Sequence, residues 1–186
     1  MSSLSLTDME IVVRPGTAED AAALAQLATL TFPLACPPHH TPENISAHIN
    51  RVLSEEKFRE YASDAVFALL VADMQGMLVG YALVDFREPD DPDVEVYLAE
   101  QYPVAELSKL YVHPEFHGVG IAHTLLDQAL LRVAERSITT VWLTVNQLNA
   151  RANAFYEKSG FANIANKTYR VGDVIDDDYL RVRSLI

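Results

Sequence analysis

Cysteine, basic side chains and long apolar runs are all scarce in this chain of 186 residues. Cys36 is the single cysteine, so no intrachain disulfide can form, and a reducing cytoplasm is the expected compartment. No apolar run reaches the roughly 18 residues that a membrane-spanning helix needs. The best candidate, 65–72, has the length of a strand. Residues 1–10 lack the basic segment and apolar stretch of a secretory signal, so none is expected.

Acidic residues outnumber basic ones by 26 to 14, which gives a net charge of −12. This charge repels phosphates, so neither nucleic acid nor an anionic membrane is expected as a partner. It suits a cationic substrate, although an acidic surface that keeps the protein soluble would explain it equally well. Apolar residues make up 49% of the chain and charged ones 22%, which is typical of a globular protein. We therefore expect one domain over residues 1–186.

The alternation of apolar and turn residues predicts a mixture of strands and helices. Strands are predicted at 11–14, 66–72, 78–86, 107–112, 139–145, 161–168 and 179–183. Helices are predicted after the capping residue Thr17, from 42 onward, and at 56–62, 118–134 and 150–159. This order predicts an α/β fold with a mixed, mostly antiparallel sheet and helices on both of its faces.

Irregular segments are predicted between these elements. Four prolines within 33–42 predict a non-helical segment, which we expect to line a substrate entrance. The acidic stretch 87–104 is predicted to be a loop with one short helix, and the run Asp176–Asp178 a solvated turn. For the first helix, the residues predicted to face inward are Ala21, Leu24, Leu27, Ala28 and Leu30.

A glycine-containing turn between a strand and a helix is the most informative stretch of the sequence. Gly118 and Gly120 lack a Cβ, so the backbone there can approach a ligand closely. The helix that follows presents free N–H groups and a positive dipole end, which together favour a phosphate. A Rossmann loop would need a third glycine where His123 stands, and no lysine follows as in a P-loop. Taken alone, the two glycines are also compatible with simple packing.

The stretch 111–126 resembles motif A of the GNAT N-acetyltransferase family. The family loop reads Gln/Arg-x-x-Gly-x-Gly/Ala, and this chain has His117-Gly-Val-Gly-Ile-Ala122, with histidine at the first position. The resemblance implies that the amides of the turn hold the pyrophosphate of acetyl-CoA and that the preceding strand bonds its pantetheine arm. The residues implied are Leu110, Tyr111, Val112, His117, Gly118, Val119, Gly120, Ala122 and Thr124.

A second stretch, 149–161, resembles motif B of the same family, Asn-x-x-Ala-x-x-Phe-Tyr-x-Lys-x-Gly-Phe. The resemblance implies that Asn149, Phe155 and Lys158 contact acetyl-CoA and that Tyr156 is the general acid. Without motif A upstream, Phe155 and Tyr156 would be interpreted as an aromatic pair in the core. Segments 41–48 and 168–173, with the closing 178–183, resemble the bacterial branch that acetylates spermidine and spermine.

The resemblance predicts direct transfer of acetyl to a primary amine, without a cysteine nucleophile. Glu106 is the candidate base, either directly or through ordered water; a solvated acid at a strand end is the alternative. The family often has an acid two residues later, where this chain has Ser108, and that favours a water relay. The amide of Leu110 is the candidate oxyanion donor. Cys36 is expected to be structural or incidental.

Several alternatives stay open at the level of sequence. The acceptor is a polyamine, a protein or peptide amine, or an amino sugar or antibiotic, and a non-catalytic acyl-CoA-binding domain is the rival class. The pair His39-His40 has no cysteine or acid at metal-ligand spacing, so no metal is expected. Homodimers are common in this fold, and the sequence does not decide whether this chain forms one.

Overall fold

The computed structural model describes residues 10–171 and 173–186, which form a seven-stranded sheet in the order β1-β2-β3-β4-β5-β7-β6. The strands are β1 Val12–Pro15, β2 Phe67–Met74, β3 Met77–Asp85, β4 Val104–Val112, β5 Thr140–Asn146, β6 Ala162–Val171 and β7 Val174–Ser184. The helices are α1 Ala21–Ala35, α2 Pro42–Val52, α3 Glu55–Ser63, α4 Pro92–Leu98, α5 Ile121–Ala134 and α6 Ala150–Lys158. Neighbouring strands are antiparallel except β4 and β5, which are parallel, so the predicted fold class is confirmed.

Helices cover both faces of the sheet, as predicted. Helix α5 packs on one face, with its inward residues Leu125, Leu126 and Val133 almost fully buried. Helices α1, α2 and α3 pack on the opposite face around a separate apolar cluster that includes Leu24 and Phe58. The two faces are called here the α5 face and the α1 face. Alternation along the strands assigns successive side chains to one or the other.

Local signals set the boundaries of several elements. The Thr17 amide donates to the Asp20 carboxylate at 2.8 Å and closes a capping box before α1. Gln75 and Gly76 have φ values of 53° and 92°, as in the two-residue hairpin turn that joins β2 and β3. The side chain of Asn149 accepts from the Ala152 amide at 3.1 Å and caps α6. Among the described residues, no helix is both long and apolar enough to cross a bilayer.

Four predictions about these elements were wrong. Helix α1 continues through Pro33 to Ala35, because a proline in the last turn removes only one intrahelical bond before the helix ends. Leu30, predicted to face inward, is 46% exposed. Helix α5 begins at Ile121 because Gly120 takes a left-handed conformation. The run Asp176–Asp178 is part of β7 rather than a solvated turn.

Gly80 shows how closely α5 packs on the sheet. A Cβ at this position would lie 3.0 Å from Leu125 Cδ1, 3.0 Å from the Tyr111 carbonyl oxygen and 3.3 Å from Ile121 Cγ2. One of these atoms belongs to the backbone of the neighbouring strand, so it cannot rotate away.

We predict that Gly80→Ala lowers the free energy of unfolding by about 1–3 kcal/mol, because β4 or α5 must shift to admit the methyl group. Urea denaturation followed by circular dichroism measures this. A variant as stable as the wild type would contradict the close packing of α5 on β3.

Candidate active site

The sheet opens between its two central parallel strands. Strands β4 and β5 pair at three positions, from Val104 with Thr140 to Glu106 with Trp142. Beyond these pairs β4 runs on to Val112 and β5 to Asn146, but these described segments form no further β4–β5 pairs. The backbone groups that face the opening therefore lack partners from the adjacent strand, and an extended ligand with amide groups can pair with them.

A cavity of about 670 Å³ occupies this opening and reaches both faces of the sheet. Its lining on the α5 face includes Ala122, Phe155 and Tyr156. Its lining on the α1 face includes Phe32 and Tyr61. Two reactants can therefore enter from opposite faces and meet within the sheet.

A β-bulge in β4 determines which side chains face each half of the cavity. The register against β3 shifts between Leu83, which pairs with Lys109, and Val84, which pairs with Leu107, so Ser108 is left over. Leu107 and Leu110 consequently both pack on the α5 face. The alternation of β4 about this bulge assigns Glu106, Lys109 and Tyr111 to the α1 face.

The turn before α5 has the geometry of an anion cradle. Gly118 and Gly120 have φ values of 83° and 92°, and a Cβ built on either would meet no atom within 4 Å. The backbone is thus both left-handed and open to a ligand at these positions. The Thr124 amide bonds the Gly120 carbonyl at 3.1 Å, so the free N–H groups of the first turn precede it. Val119 is exposed beside them, and Ala122 lines the cavity.

His117 holds the cradle in place through its side chain. Its Nε2–H donates to the Val112 carbonyl at 2.8 Å, and its Nδ1 accepts from the Arg151 guanidinium. The ring thereby connects the end of β4 to the start of α6. Arg151, which the sequence did not single out, is held next to the glycine turn and lines the cavity.

Helix α6 contributes the aromatic wall. Phe155 and Tyr156 lie edge to face with ring centroids 5.3 Å apart, and Phe155 also contacts the ring of His123 at 4.8 Å. Burial raises the pKa of Tyr156 well above its ordinary value of 10, so its hydroxyl stays protonated at neutral pH. Asn149 lines the same cavity, whereas Lys158 is exposed in the last turn of the helix.

Glu106 and Lys109 are both desolvated in the cavity, and burial drives their pKa values toward neutrality. Burial, assisted by the charges of Asp85 and Asp90, raises the pKa of Glu106 to about 7 against the lowering effects of Lys109 and Lys167. Burial also lowers the pKa of Lys109 to about 8. A carboxylate with a pKa near 7 is well matched to proton transfer at physiological pH.

A cluster of histidines and aspartates at the β7 side of the cavity was missed by the sequence analysis. His39 Nε2 and His40 Nε2 donate to the two oxygens of Asp176 at 2.7 Å and 2.6 Å. The spacing argument did not reveal this acid, since Asp176 lies more than a hundred residues from the pair. The contact fastens the proline-rich segment to β7, and His40 lines the cavity. Asp176 and Asp178 lie on the same face of β7 as buried Leu180, and this spacing of two residues was the available signal.

Cys36 also lines this part of the cavity. Burial, together with the Asp176 charge, raises the pKa of its thiol to about 11, so the thiolate is scarce at neutral pH. A thiol held in this protonated state is a weak nucleophile.

Comparison with known proteins identifies the family and agrees with the fold. The family described as "Acetyltransferase (GNAT) family" matches residues 23–161. An uncharacterized N-acetyltransferase of Mycobacterium tuberculosis is 42% identical over 167 residues, which cover 90% of this chain and 99% of that protein.

Two solved structures share the fold. PaiA N-acetyltransferase from Thermoplasma acidophilum, in complex with coenzyme A, superposes with a TM-score of 0.76 at 22% identity, covering 95% of this chain and 99% of that one. The ribosomal-protein-S18-alanine N-acetyltransferase from Escherichia coli superposes with a TM-score of 0.66 at 18% identity, covering 95% and 94%. From the cradle, the opened sheet and these matches together, the chain belongs to the acetyltransferase (GNAT) family and is an acetyl-CoA-dependent N-acetyltransferase.

Proposed function

We propose that this enzyme transfers acetyl from acetyl-CoA directly to a small primary amine, with a polyamine as the leading acceptor. The observation that carries the proposal is the cavity that passes through the opened sheet. The glycine cradle and Tyr156 lie on the α5 side of this opening, and the carboxylates lie on the α1 side. The pyrophosphate binds at Gly118–Ala122, the pantetheine arm lies along Leu110–Val112, and the amine enters from the α1 face.

Deprotonation of the amine is the first chemical requirement. An aliphatic ammonium has a pKa of about 10.4, so freeing its lone pair at pH 7 costs about 4.6 kcal/mol. Glu106 is the proton acceptor in our proposal, and it acts through an ordered water. Its elevated pKa supports this role, because a carboxylate that titrates near 7 accepts a proton more readily than an ordinary one.

Collapse of the tetrahedral intermediate requires the opposite group, a proton donor. The amide of Leu110 stabilises the oxyanion in our proposal, and Tyr156 protonates the departing thiolate. The tyrosine is suited to this step since burial keeps its hydroxyl protonated at neutral pH. A free thiol has a pKa of about 8.5, so the product thiol stays mostly protonated at pH values below about 8.5.

The charge of the cavity supports a cationic acceptor. Its lining contains six acidic residues and three Lys or Arg residues. They are Asp85, Glu88, Asp90, Glu106, Asp176 and Asp178 against Arg87, Lys109 and Arg151. Together with the net charge of −12, this excess attracts a polycation and raises its local concentration. We also propose that the enzyme works in the cytoplasm, where its single cysteine stays reduced.

We predict that Gly120→Ala weakens binding of acetyl-CoA by about tenfold or more, because a Cβ would project into the space assigned to phosphate. Gly76→Ala is the matched control, since Gly76 has the same φ of 92° and equally open surroundings. Both variants should lose about 1 kcal/mol of stability from left-handed strain. Isothermal titration calorimetry with coenzyme A separates the two effects, and equal affinities in both variants would contradict the cradle assignment.

We predict that the turnover rate falls as the pH drops through about 7, because Glu106 becomes protonated there. Glu106→Gln should lower kcat by about a hundredfold and remove that inflection. Asp178 also has a pKa of about 7. Comparing the pH profile of Glu106→Gln with that of the wild type shows which of the two carboxyl groups causes the inflection. Exposed Glu95→Gln serves as the control, and an unchanged inflection in Glu106→Gln would exclude Glu106 as the base.

The acceptor is tested by following thiol release from acetyl-CoA with polyamines, peptides and aminoglycosides. We expect turnover with spermidine or spermine, and a decrease of about tenfold or more in kcat for Tyr156→Phe. Turnover confined to peptides or aminoglycosides would replace the polyamine assignment. Binding of acetyl-CoA without turnover on any amine would favour a non-catalytic acyl-CoA-binding domain.

A further inference from the structure

Asp178 has a buried carboxylate oxygen that the protein leaves unsatisfied. The residue is 5% exposed, and Oδ1 has no hydrogen-bond partner among the described residues. Burying a carboxylate oxygen without a partner is costly, and a ligand bound in the adjoining cavity is one means of offsetting that cost. Asp178 lines the cavity that crosses the sheet.

The neighbours of Asp178 offset its charge only in part: burial and Asp176 raise its pKa, whereas Lys167 and a hydrogen bond from the Thr144 hydroxyl lower it. Asp176, the next residue on the same face of β7, has both oxygens engaged by His39 and His40. Lys167 is engaged by the carboxylate of Asp91. In contrast to Asp176, Asp178 thus keeps a carboxylate oxygen without a protein partner among the described residues, and the residue borders the cavity.

The sheet register separates Asp178 from Glu106. Glu106 pairs with Trp142 on β5, and Asp178 pairs with Asn146 four positions further along that strand. With strands about 4.8 Å apart and a rise of about 3.3 Å per residue, the two backbone positions are on the order of 15 Å apart. At this backbone separation a single ammonium is poorly placed to contact both carboxylates, whereas two ammonium groups joined by a chain could each reach one.

The part of the cavity wall between the two carboxylates, formed by Trp142 and Thr144, suits a hydrocarbon chain. The alternation of β5 directs Trp142 and Thr144 to the same face as Glu106 and Asp178, and both side chains line the cavity. The indole offers an apolar surface over which methylene groups can lie. An acceptor with a positive group at each end of such a chain could place one group at Glu106 and the other at Asp178.

We propose that Asp178 binds a second ammonium of the acceptor, remote from the nitrogen that Glu106 deprotonates. Asp178 is then the residue that selects diamines and polyamines over monoamines. This inference rests on the proposed function, since it assumes that the acceptor is an amine bound on the α1 face. Asp178 makes no contact with the transferred acetyl group in this account, so it sets acceptor affinity and not the rate of chemistry.

The test compares unbranched diamines of increasing length with the monoamine of equal length, for the wild type, Asp178→Asn and Asp177→Asn. Asp177 is the matched control because it carries the same charge on the adjacent, exposed position. For the wild type we expect kcat/KM to favour the diamine by about tenfold or more, the strength of a charged hydrogen bond. Asp178→Asn should lose this preference through a higher KM for the diamine, with kcat and the KM for acetyl-CoA unchanged, and Asp177→Asn should keep it.

The outcomes separate this inference from the function on which it rests. Equal loss of activity toward diamine and monoamine in Asp178→Asn would mean that Asp178 is only structural. A wild type that acetylates both amines equally well would also overturn the inference, even if no Asp178 variant folds. A wild type that acetylates no amine would remove the proposed function and the inference together, whereas the other two results leave the function standing.

Discussion

The parting of β4 from β5 beyond Glu106 is the constraint on which the site depends. Two parallel strands that stayed paired would close the sheet and separate its two faces. Because the ladder stops after three pairs, the edge of β4 is free and a cavity joins the α5 face to the α1 face. The bulge at Ser108 then directs Glu106 and Lys109 to one half of this cavity, while the cradle before α5 borders the other. In the proposed function, cofactor and acceptor would therefore approach from opposite faces of the sheet without competing for one entrance.

Burial tunes the chemistry of the groups in that opening. Removing water disfavours charge, which raises the pKa of Glu106 and Tyr156 and lowers that of Lys109. These shifts suit the roles proposed above, a base that titrates near neutral pH and an acid that keeps its proton. Asp178 bears a similar desolvation penalty. Its burial and the charge of Asp176 raise its pKa to about 7. A cationic ligand beside it would lower that pKa again and recover the cost.

The local parts of this structure were largely accessible from the sequence. The seven strands and the open backbone at Gly118 and Gly120 depend mainly on residues close in sequence, and they were predicted correctly. What the sequence could not supply are contacts across long separations. Asp176 meets His39 and His40 only once the strands are assembled. The same holds for the hydrogen bond between Arg151 and His117. The break in the β4–β5 ladder is equally a property of the assembled sheet. Pro33 was misjudged because its cost depends on how near the helix end lies.

The most direct test of the central claim is amide hydrogen exchange with and without acetyl-CoA. We expect new protection in 107–112, where β4 is not paired with β5, and in 118–124 around the cradle. Helix α2 at 42–52 should be unaffected. Protection confined to other segments, or none at saturating acetyl-CoA, would show that the opening in the sheet is not the cofactor site and would contradict the account.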